Sequence, residues 1–290
     1  MSAPATAAPT PATDPALAAT AGPRRGRRPR ALTAVGVAVL LLAFAAAFFP
    51  TLFTSVDPQL AVPADRLQPP SGRHWFGTDQ LGRDQFARIV HGARASLGSA
   101  AIAVAIALVA GTALGLVAGF LGGVVDAAVM RLLEVVLAIP PLLLALALVS
   151  ALGFGTVNVA VAVGVVSTAA FARLVRGEVL RIRSMAFVEV ARSAGFGRAS
   201  VLRRHVLPHT LGPVLVLATL EFGTALLAIS TLSFLGFGTP PPAPEWGSLV
   251  SAGRGFLGTA WWMSAMPGLV IAVVTLTVNQ LAHSVEGGRR

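Results

Sequence analysis

Six predominantly apolar runs dominate this chain: residues 31–49, 96–120, 124–151, 157–176, 213–237 and 262–283. Each is about as long as the roughly 20-residue helix needed to cross a bilayer's hydrocarbon core. Inside lipid every backbone N–H and C=O must be satisfied within the protein, so runs of this length are compatible with little besides helices. The fold class expected is therefore all-α, a polytopic membrane protein with six transmembrane helices. The organisation expected is a disordered basic tail over 1–30, a first transmembrane helix over 31–50, and an extramembrane loop with a short amphipathic helix over 51–95. A transmembrane domain over 96–283 follows, interrupted by a polar loop at 177–212, and a tail over 284–290 closes the chain.

Composition supports the bilayer as solvent. Hydrophobic residues make up 55% and charged residues 12%, against roughly 45–50% and 25% in ordinary globular domains. The basic side chains, 22 in all, are arginine without exception, and cysteine is absent. Without lysine there is no P-loop lysine for nucleotide phosphates and no Schiff-base amine. Without cysteine there are no disulfides, thiolate metal sites or thiol nucleophiles. Any ATP-driven work must then be done by another chain. The run from Ala31 to Phe49 follows "RRGRRPR" and ends in "FAAAFF". A cleaved signal would read similarly, but about 19 apolar residues suit a span better than a signal core.

Charge orients the spans. The 173–209 stretch carries eight arginines against two glutamates, and the N-terminal tail five arginines against one aspartate. The 51–95 loop holds five arginines against four aspartates, and the 239–261 loop one of each sign. The positive-inside rule puts both termini and the 173–209 loop in the cytoplasm of a plasma-membrane protein. Trp75, Trp246, Trp261 and Trp262 are then expected at the outer face as an aromatic belt. With the positive charge accounted for in this way, no nucleic-acid partner is expected.

Polar chemistry within the spans is sparse. Gly111, Gly115, Gly119 and Gly123 recur every fourth residue, so one helix face should admit a close neighbour. Leucine there should force helices apart, and alanine should be milder. Pro140 and Pro141 should kink the third span, and Arg131 can pair with Glu134 three residues on. Glu221 lies inside the fifth span. A carboxylate there costs about 2.5–3.5 kcal/mol on insertion scales, so it should face protein or a wet cavity. A helix-to-helix hydrogen bond is the favoured reading, and a place on a translocation path the other.

The segment "HWFGTDQLGRDQFARIVHGARASL", residues 74–97, opens with turn chemistry at Gly77, Thr78, Asp79 and Gly82. Phe86, Ile89, Val90, Ala93 and Leu97 then recur at helical spacing, and Asp84 and Arg88 are placed to pair. A metal site from His74, Asp79, Asp84 and His91 fits no known ligand spacing, so no metal site is expected. His205 and His209 are four apart, with Pro208 expected to break the helix between them. Catalytic signatures of the H-E-x-x-H or G-x-S-x-G kind are missing, and no enzyme activity is expected of this chain.

The most basic segment is "SMAFVEVARSAGFGRASVLRRHVLPH", residues 184–209. Residues 185–194 read as one short helix, glycines 195 and 197 as a turn, and 201–206 as a second short helix stopping before Pro208. Lying outside the bilayer with no core of their own, such helices need a partner surface; a basic loop resting on anionic lipid is the other reading. The segment resembles the coupling loop of ABC-transporter permeases. The resemblance aligns Glu189, Ala191, Gly195, Leu207 and Pro208 with that motif, takes Arg192 and Ala194 along as its neighbours, and leaves Val190 as a departure from an alanine. It implies that the loop sits in a groove of a cytoplasmic ATPase.

Three further stretches, residues 74–97, "LSFLGFGTPPPAPEWGSLV" and "MPGLVIAVVTLTVNQL", resemble the C-type permease of dipeptide, oligopeptide and nickel importers. The likeness runs from about residue 30 to 281 and implies a type I ABC importer permease fold. It also implies a homologous second permease, two ATPase subunits carrying ATP and magnesium, and an extracytoplasmic substrate-binding protein. This chain itself would hold no cofactor. Glu221, Ile229 and Ser233 would then be candidates for the translocation path, Ile229 standing where relatives often have an acid. The closing "AHSVEGGRR" also departs from the family's acidic tail. The substrate is left open among dipeptides, longer peptides, nickel chelates and glycosides. A secondary transporter or channel without an ATPase is the alternative, although no internal repeat supports it.

Overall fold

The structure is a computed structural model describing residues 30–287. The basic tail up to residue 29 and the last three residues lie outside the described residues. Ten helices are named here in chain order: α1 (Arg30–Phe48), α2 (Gln85–Leu121), α3 (Gly123–Ala138), α4 (Pro141–Leu152), α5 (Thr156–Arg183), α6 (Ala186–Ser193), α7 (Arg198–Val201), α8 (Leu207–Phe234), α9 (Trp246–Gly253) and α10 (Trp262–Gly287).

Helix α2 is longer than the expected span. It begins at Asp84, whose side chain accepts from the Ala87 N–H at 2.8 Å, and runs unbroken for 37 residues, about 55 Å at 1.5 Å per residue. The short amphipathic helix expected before it is not a separate element. Its apolar stripe of Ile89, Val90, Ala93 and Leu97 continues as Ala100, Ala103 and Ala107 down one buried face. Nothing in the sequence interrupts that face, so one helix forms.

Helices α2 and α5 run side by side in the same direction. A side chain added at Gly164 would meet Ala103, while one at Gly111 would meet Phe171, one at Gly115 Val175, and one at Gly119 Val179. The paired numbers rise together, which only parallel helices allow. The segment between them must therefore return through the full height of the bundle. It does so as two pieces, α3 and α4, bent by 94°, which is far more than the expected kink. Two prolines explain the size of the break. Pro140 and Pro141 donate no backbone hydrogen bonds, and Ile139 before them is pushed into an extended conformation at φ −91°, ψ 133°.

Four helices, α2, α5, α8 and α10, are each long and apolar enough to cross a bilayer, and the bent pair makes a fifth crossing. The shorter apolar helix α1 packs alongside: Gly36 faces Thr277 and Leu281 of α10, and Ala47 joins the main core. Direction alternates through α1, α2, α3–α4, α5, α8 and α10, consistent with six crossings. The bundle thus has a tryptophan end, where Trp262 meets Thr78 and Trp246 meets Ile89, and an arginine end, where residues 176–209 gather. The main apolar core joins α2, α5, α8, α9 and α10, and a second core of Phe171, Val175, Val179, Ile182 and Val214 lies toward the arginine end.

Gly111, Gly115 and Gly119 line the α2–α5 contact, where an added Cβ would approach Phe171 Cβ to 2.4 Å, the Ala172 carbonyl oxygen to 2.6 Å and Val179 Cβ to 2.8 Å. Gly123 does not belong to that face. It follows the end of α2 in a left-handed conformation, φ 55°, with open space around it. The four-residue spacing fails there because the helix has already stopped at Gly122, φ 70°.

Candidate functional site

At the arginine end, the segment that follows α5 folds back against the bundle. Helix α6 carries Glu189 in its first turn, and Gly195 turns the chain at φ 84°. Val188, Val201 and Val206 are completely buried among Val175, Val179, Ile182 and Val214. These short helices therefore bury their apolar face against their own chain, contrary to the expectation that they have no core. Nor does the second one stop before Pro208. Helix α7 runs through a π-helical turn, Leu202–Val206, directly into α8, with Pro208 in the first turn of α8. The π-helical turn ahead of it, where the Leu207 N–H reaches back to the Leu202 carbonyl, carries the helix past the proline, and His205 and His209 lie on one continuous helical path. The Phe187 ring stacks on His209 with centroids 5.2 Å apart, fastening α6 to α8.

Backed by that core, the outer surface presents Phe187, Glu189, Val190, Ala194, Gly195 and Phe196, with Arg203 and Arg204 beside them. Val190 is 67% exposed, an unusual position for a valine outside lipid. Leu207 is half-buried and Pro208 exposed. The side chains of Ala191 and Arg192 lie outside the described residues.

Three arginines toward the end of α5 tie it to its surroundings. Arg176 forms a bidentate pair with Asp126 of α3, at 2.5 Å and 2.6 Å. Arg183 donates to the carbonyls of Gly119 and Phe120 at 2.6 Å and 3.0 Å, closing the C-terminal end of α2. Arg181 binds Glu178. Asp126 and Arg176 are 50 positions apart, so only knowledge of the α3–α5 packing could have joined them. The expected Arg131–Glu134 pair is present at 3.7 Å on an exposed surface, where it adds little.

Within the bundle, Ser167 of α5 donates to the carboxylate of Glu221 on α8, a helix-to-helix hydrogen bond. Ile229 and Ser233 do not line an open surface of this chain. Ile229 is fully buried in the main core. Ser233, also buried, packs where a side chain on Gly238 would strike its Oγ at 2.4 Å. Ile229 is packed among the helices of the bundle, and Ser233 is covered where the chain folds back after Phe234.

The tryptophan end is a polar knot. Asp79 accepts from the Leu81 and Arg83 amides and from the Arg83 guanidinium. Asp84 takes His74 Nδ1 at 2.8 Å, and Arg88 donates to the Pro58 carbonyl at 3.0 Å. The expected Asp84–Arg88 pair does not form, because the Asp84 carboxylate caps its own helix. His74, Asp79, Asp84 and His91 do not converge on a metal: among the described residues no group of three or more His, Cys, Asp or Glu side chains could hold one.

Trp75 and Trp261 are exposed as a belt requires, but Trp246 and Trp262 are not. Their indoles are buried and donate to the carbonyls of Ile89 at 2.8 Å and Thr78 at 3.0 Å. Glu245, fully buried, accepts from Ser96 Oγ and from the amides of Gly247 and Ser248 as it caps α9. Alanine at Glu245 strips the cap and orphans those donors, so we expect a loss of about 2–4 kcal/mol. Heat-unfolding midpoints of the detergent-purified chain would read this, with Glu245→Gln affected less.

A polytopic bundle with a surface-presenting loop between its fourth and fifth crossings suits a transporter subunit, and comparison with known proteins decides its family. Residues 111–290 match the family described as binding-protein-dependent transport system inner membrane component. The chain belongs to this family. The dipeptide transport system permease protein DppC of Alkalihalophilus pseudofirmus is 42% identical over 255 residues, spanning 88% of this chain and 84% of that protein. The probable D,D-dipeptide transport system permease protein DdpC of Escherichia coli K12 is 37% identical, spanning 88% of this chain and 86% of its own length. The glutathione transport system permease protein GsiD of Pectobacterium atrosepticum is 39% identical, spanning 91% of this chain and 87% of its own length. A crystal structure of an amino acid ABC transporter with histidines shares the fold, with a TM-score of 0.53 and 19% identity over 68% of this chain and 91% of that one. Family membership accounts for the apolar crossings: this is a multi-pass membrane protein of a transport system.

Proposed function

We propose that this chain is the permease subunit of an ATP-driven importer, forming half of a path for small peptides across the cytoplasmic membrane. The observation that carries this reading is the α6 surface. It is held rigid by Val188, Val201 and Val206 on one side and offers Phe187, Glu189, Val190 and Phe196 on the other. A basic loop meant only for anionic lipid needs neither that rigid backing nor the exposed phenylalanine and valine side chains. A partner ATPase suits the surface, and the absence of lysine from this chain leaves nucleotide and magnesium to that partner.

Relatives named for dipeptides, D,D-dipeptides and glutathione support a peptide substrate. A homologous second permease supplies the other half of the path, and an extracytoplasmic binding protein delivers the substrate. ATP binding by the partner closes it around α6, and the motion enters the bundle through the shared core with α5 and α8. Access alternates because the two arrangements of the bundle bind the partners differently.

The arginine asymmetry places the arginine end in the cytoplasm and the tryptophan end outside. Single cysteines at Ser71 and Ser200, in a chain that has none of its own, test this on intact cells with an impermeant thiol reagent. Position 71 should label and position 200 should not; the reverse pattern would overturn the orientation. Purification under native conditions should bring down an ATPase and a second permease, and a chain that purifies alone would contradict the proposal.

A further inference from the structure

Helix α3 is the least anchored part of the bundle. Of its 16 residues only Leu133 is buried, and both of its ends are joints. At one end Gly122 and Gly123 both adopt left-handed conformations, φ 70° and 55°, and Gly123 has nothing within 4 Å of an added Cβ. At the other end Pro140 and Pro141 remove the hydrogen bonds that would make α3 and α4 one rod, leaving the 94° bend. Between these joints the polar tie to the rest of the bundle is the Asp126 carboxylate on Arg176 of α5.

Arg176 has a twin. Arg173 lies three residues earlier on α5, about 4.5 Å along the axis, and is turned about 60° away on the helix surface, on the side that α3 approaches. It is exposed and makes no ion pair or hydrogen bond with any described residue. An exposed arginine about one turn from the existing ion pair offers the Asp126 carboxylate a second partner of the same kind. Lipid-facing surfaces elsewhere in the chain carry large apolar residues, as Leu41, Val109, Leu269 and Leu276 show. Arg173 instead shares its exposed face with Ala170 and Gly177, small residues that let another element slide close.

We propose that Arg173 is a second station for Asp126, and that α3 moves about one helical turn along α5 as Asp126 passes from Arg176 to Arg173. The two joints permit the step, the shallow packing of α3 offers little resistance, and like charges at both stations keep the carboxylate paired at either end. A ratchet of one turn is a known way for packed elements to hold two discrete positions. Arg173 is a positioning residue here: it holds the second position of α3 and touches no substrate. The inference rests on the transport function proposed above, because the step is taken to accompany the partner's ATP cycle.

Pulsed EPR on the assembled complex tests it. Spin labels are placed on exposed Ala128→Cys and Val157→Cys, in this cysteine-free chain with partner cysteines replaced. Moving from the nucleotide-free to the ATP-trapped complex should shorten the distance by about 4–5 Å, close to one turn. Arg173→Gln should abolish the shift and cut peptide uptake at least tenfold without lowering assembly, and Arg173→Lys should keep both in large part. An unchanged distance in a wild-type complex that imports peptide would overturn the proposal. So would Arg173→Gln shifting like wild type, or Arg173→Gln failing to assemble, which would assign the arginine to a partner or lipid contact. A complex that shows the shift but imports no peptide would overturn the functional reading and leave the ratchet standing.

Discussion

Leucine at Gly111 or Gly115 should eliminate the folded chain, and alanine should already damage it severely. At Gly115 an added Cβ would stand 2.6 Å from the Ala172 carbonyl oxygen and 2.7 Å from Val175 Cβ; at Gly111 it would stand 2.4 Å from Phe171 Cβ and 2.7 Å from the Thr168 oxygen. Backbone atoms and Cβ atoms cannot rotate out of the way, so α2 and α5 must separate. Overpacking of this kind costs about 1–3 kcal/mol for one methyl and more for a leucine. The residue pattern alone ranks alanine as milder than leucine; the close contact of α2 and α5 keeps that order and makes even alanine costly. Gly98→Ala is the control, since nothing lies within 4 Å of its Cβ position and a helix gains about 1 kcal/mol from the exchange. Size-exclusion profiles of detergent extracts would show Gly115→Ala reduced and Gly98→Ala at or above wild type. Equal profiles would mean that the helices can part without penalty.

On the proposed docking, Glu189→Arg should separate the chain from the partner ATPase while leaving insertion intact. Glu189 is exposed on α6, so reversing it disturbs no internal contact. At a docked interface such a reversal costs several kcal/mol, and each 1.4 kcal/mol is tenfold in affinity. Copurification of the ATPase should fall by about 100-fold or more on that scale. Val190→Asp should act similarly by placing a charge in the apolar centre of the same surface. Glu178→Gln serves as the control in the same region, because Glu178 is committed to Arg181 of its own helix. Full ATPase recovery with Glu189→Arg would return the loop to a membrane-surface role.

Much of the architecture could be read from apolar runs alone, since a stretch that fills a bilayer has few alternatives to a helix. That Glu221 would bond to another helix was likewise legible, because an isolated acid in a span must find a partner; that the partner is Ser167 was not. What escaped was set by tertiary contacts. The burial of Trp246 and Trp262 depends on the carbonyls of Ile89 and Thr78, more than 150 residues away in sequence, whereas a belt position needs only the lipid surface. Ile229 and Ser233 look free to line a path until the bundle packs around the first and the loop after Phe234 folds over the second. The break at Pro140 and Pro141 was visible as a kink, but not its size: two successive prolines with an extended Ile139 before them end one helix and begin another, where a single proline would only bend one. The α6 and π-turn segment looked coreless because its valines are spaced irregularly, and they become one apolar face only when wrapped against α5 and α8.

The most direct measurement is uptake of a labelled dipeptide into proteoliposomes holding this chain with its second permease and ATPase subunits. Binding protein and peptide are supplied outside, and ATP is sealed inside. Uptake that requires ATP, the ATPase subunits and the binding protein together is the expected result. Uptake that persists without the ATPase, driven by an ion gradient alone, would contradict the account and make the chain a secondary transporter.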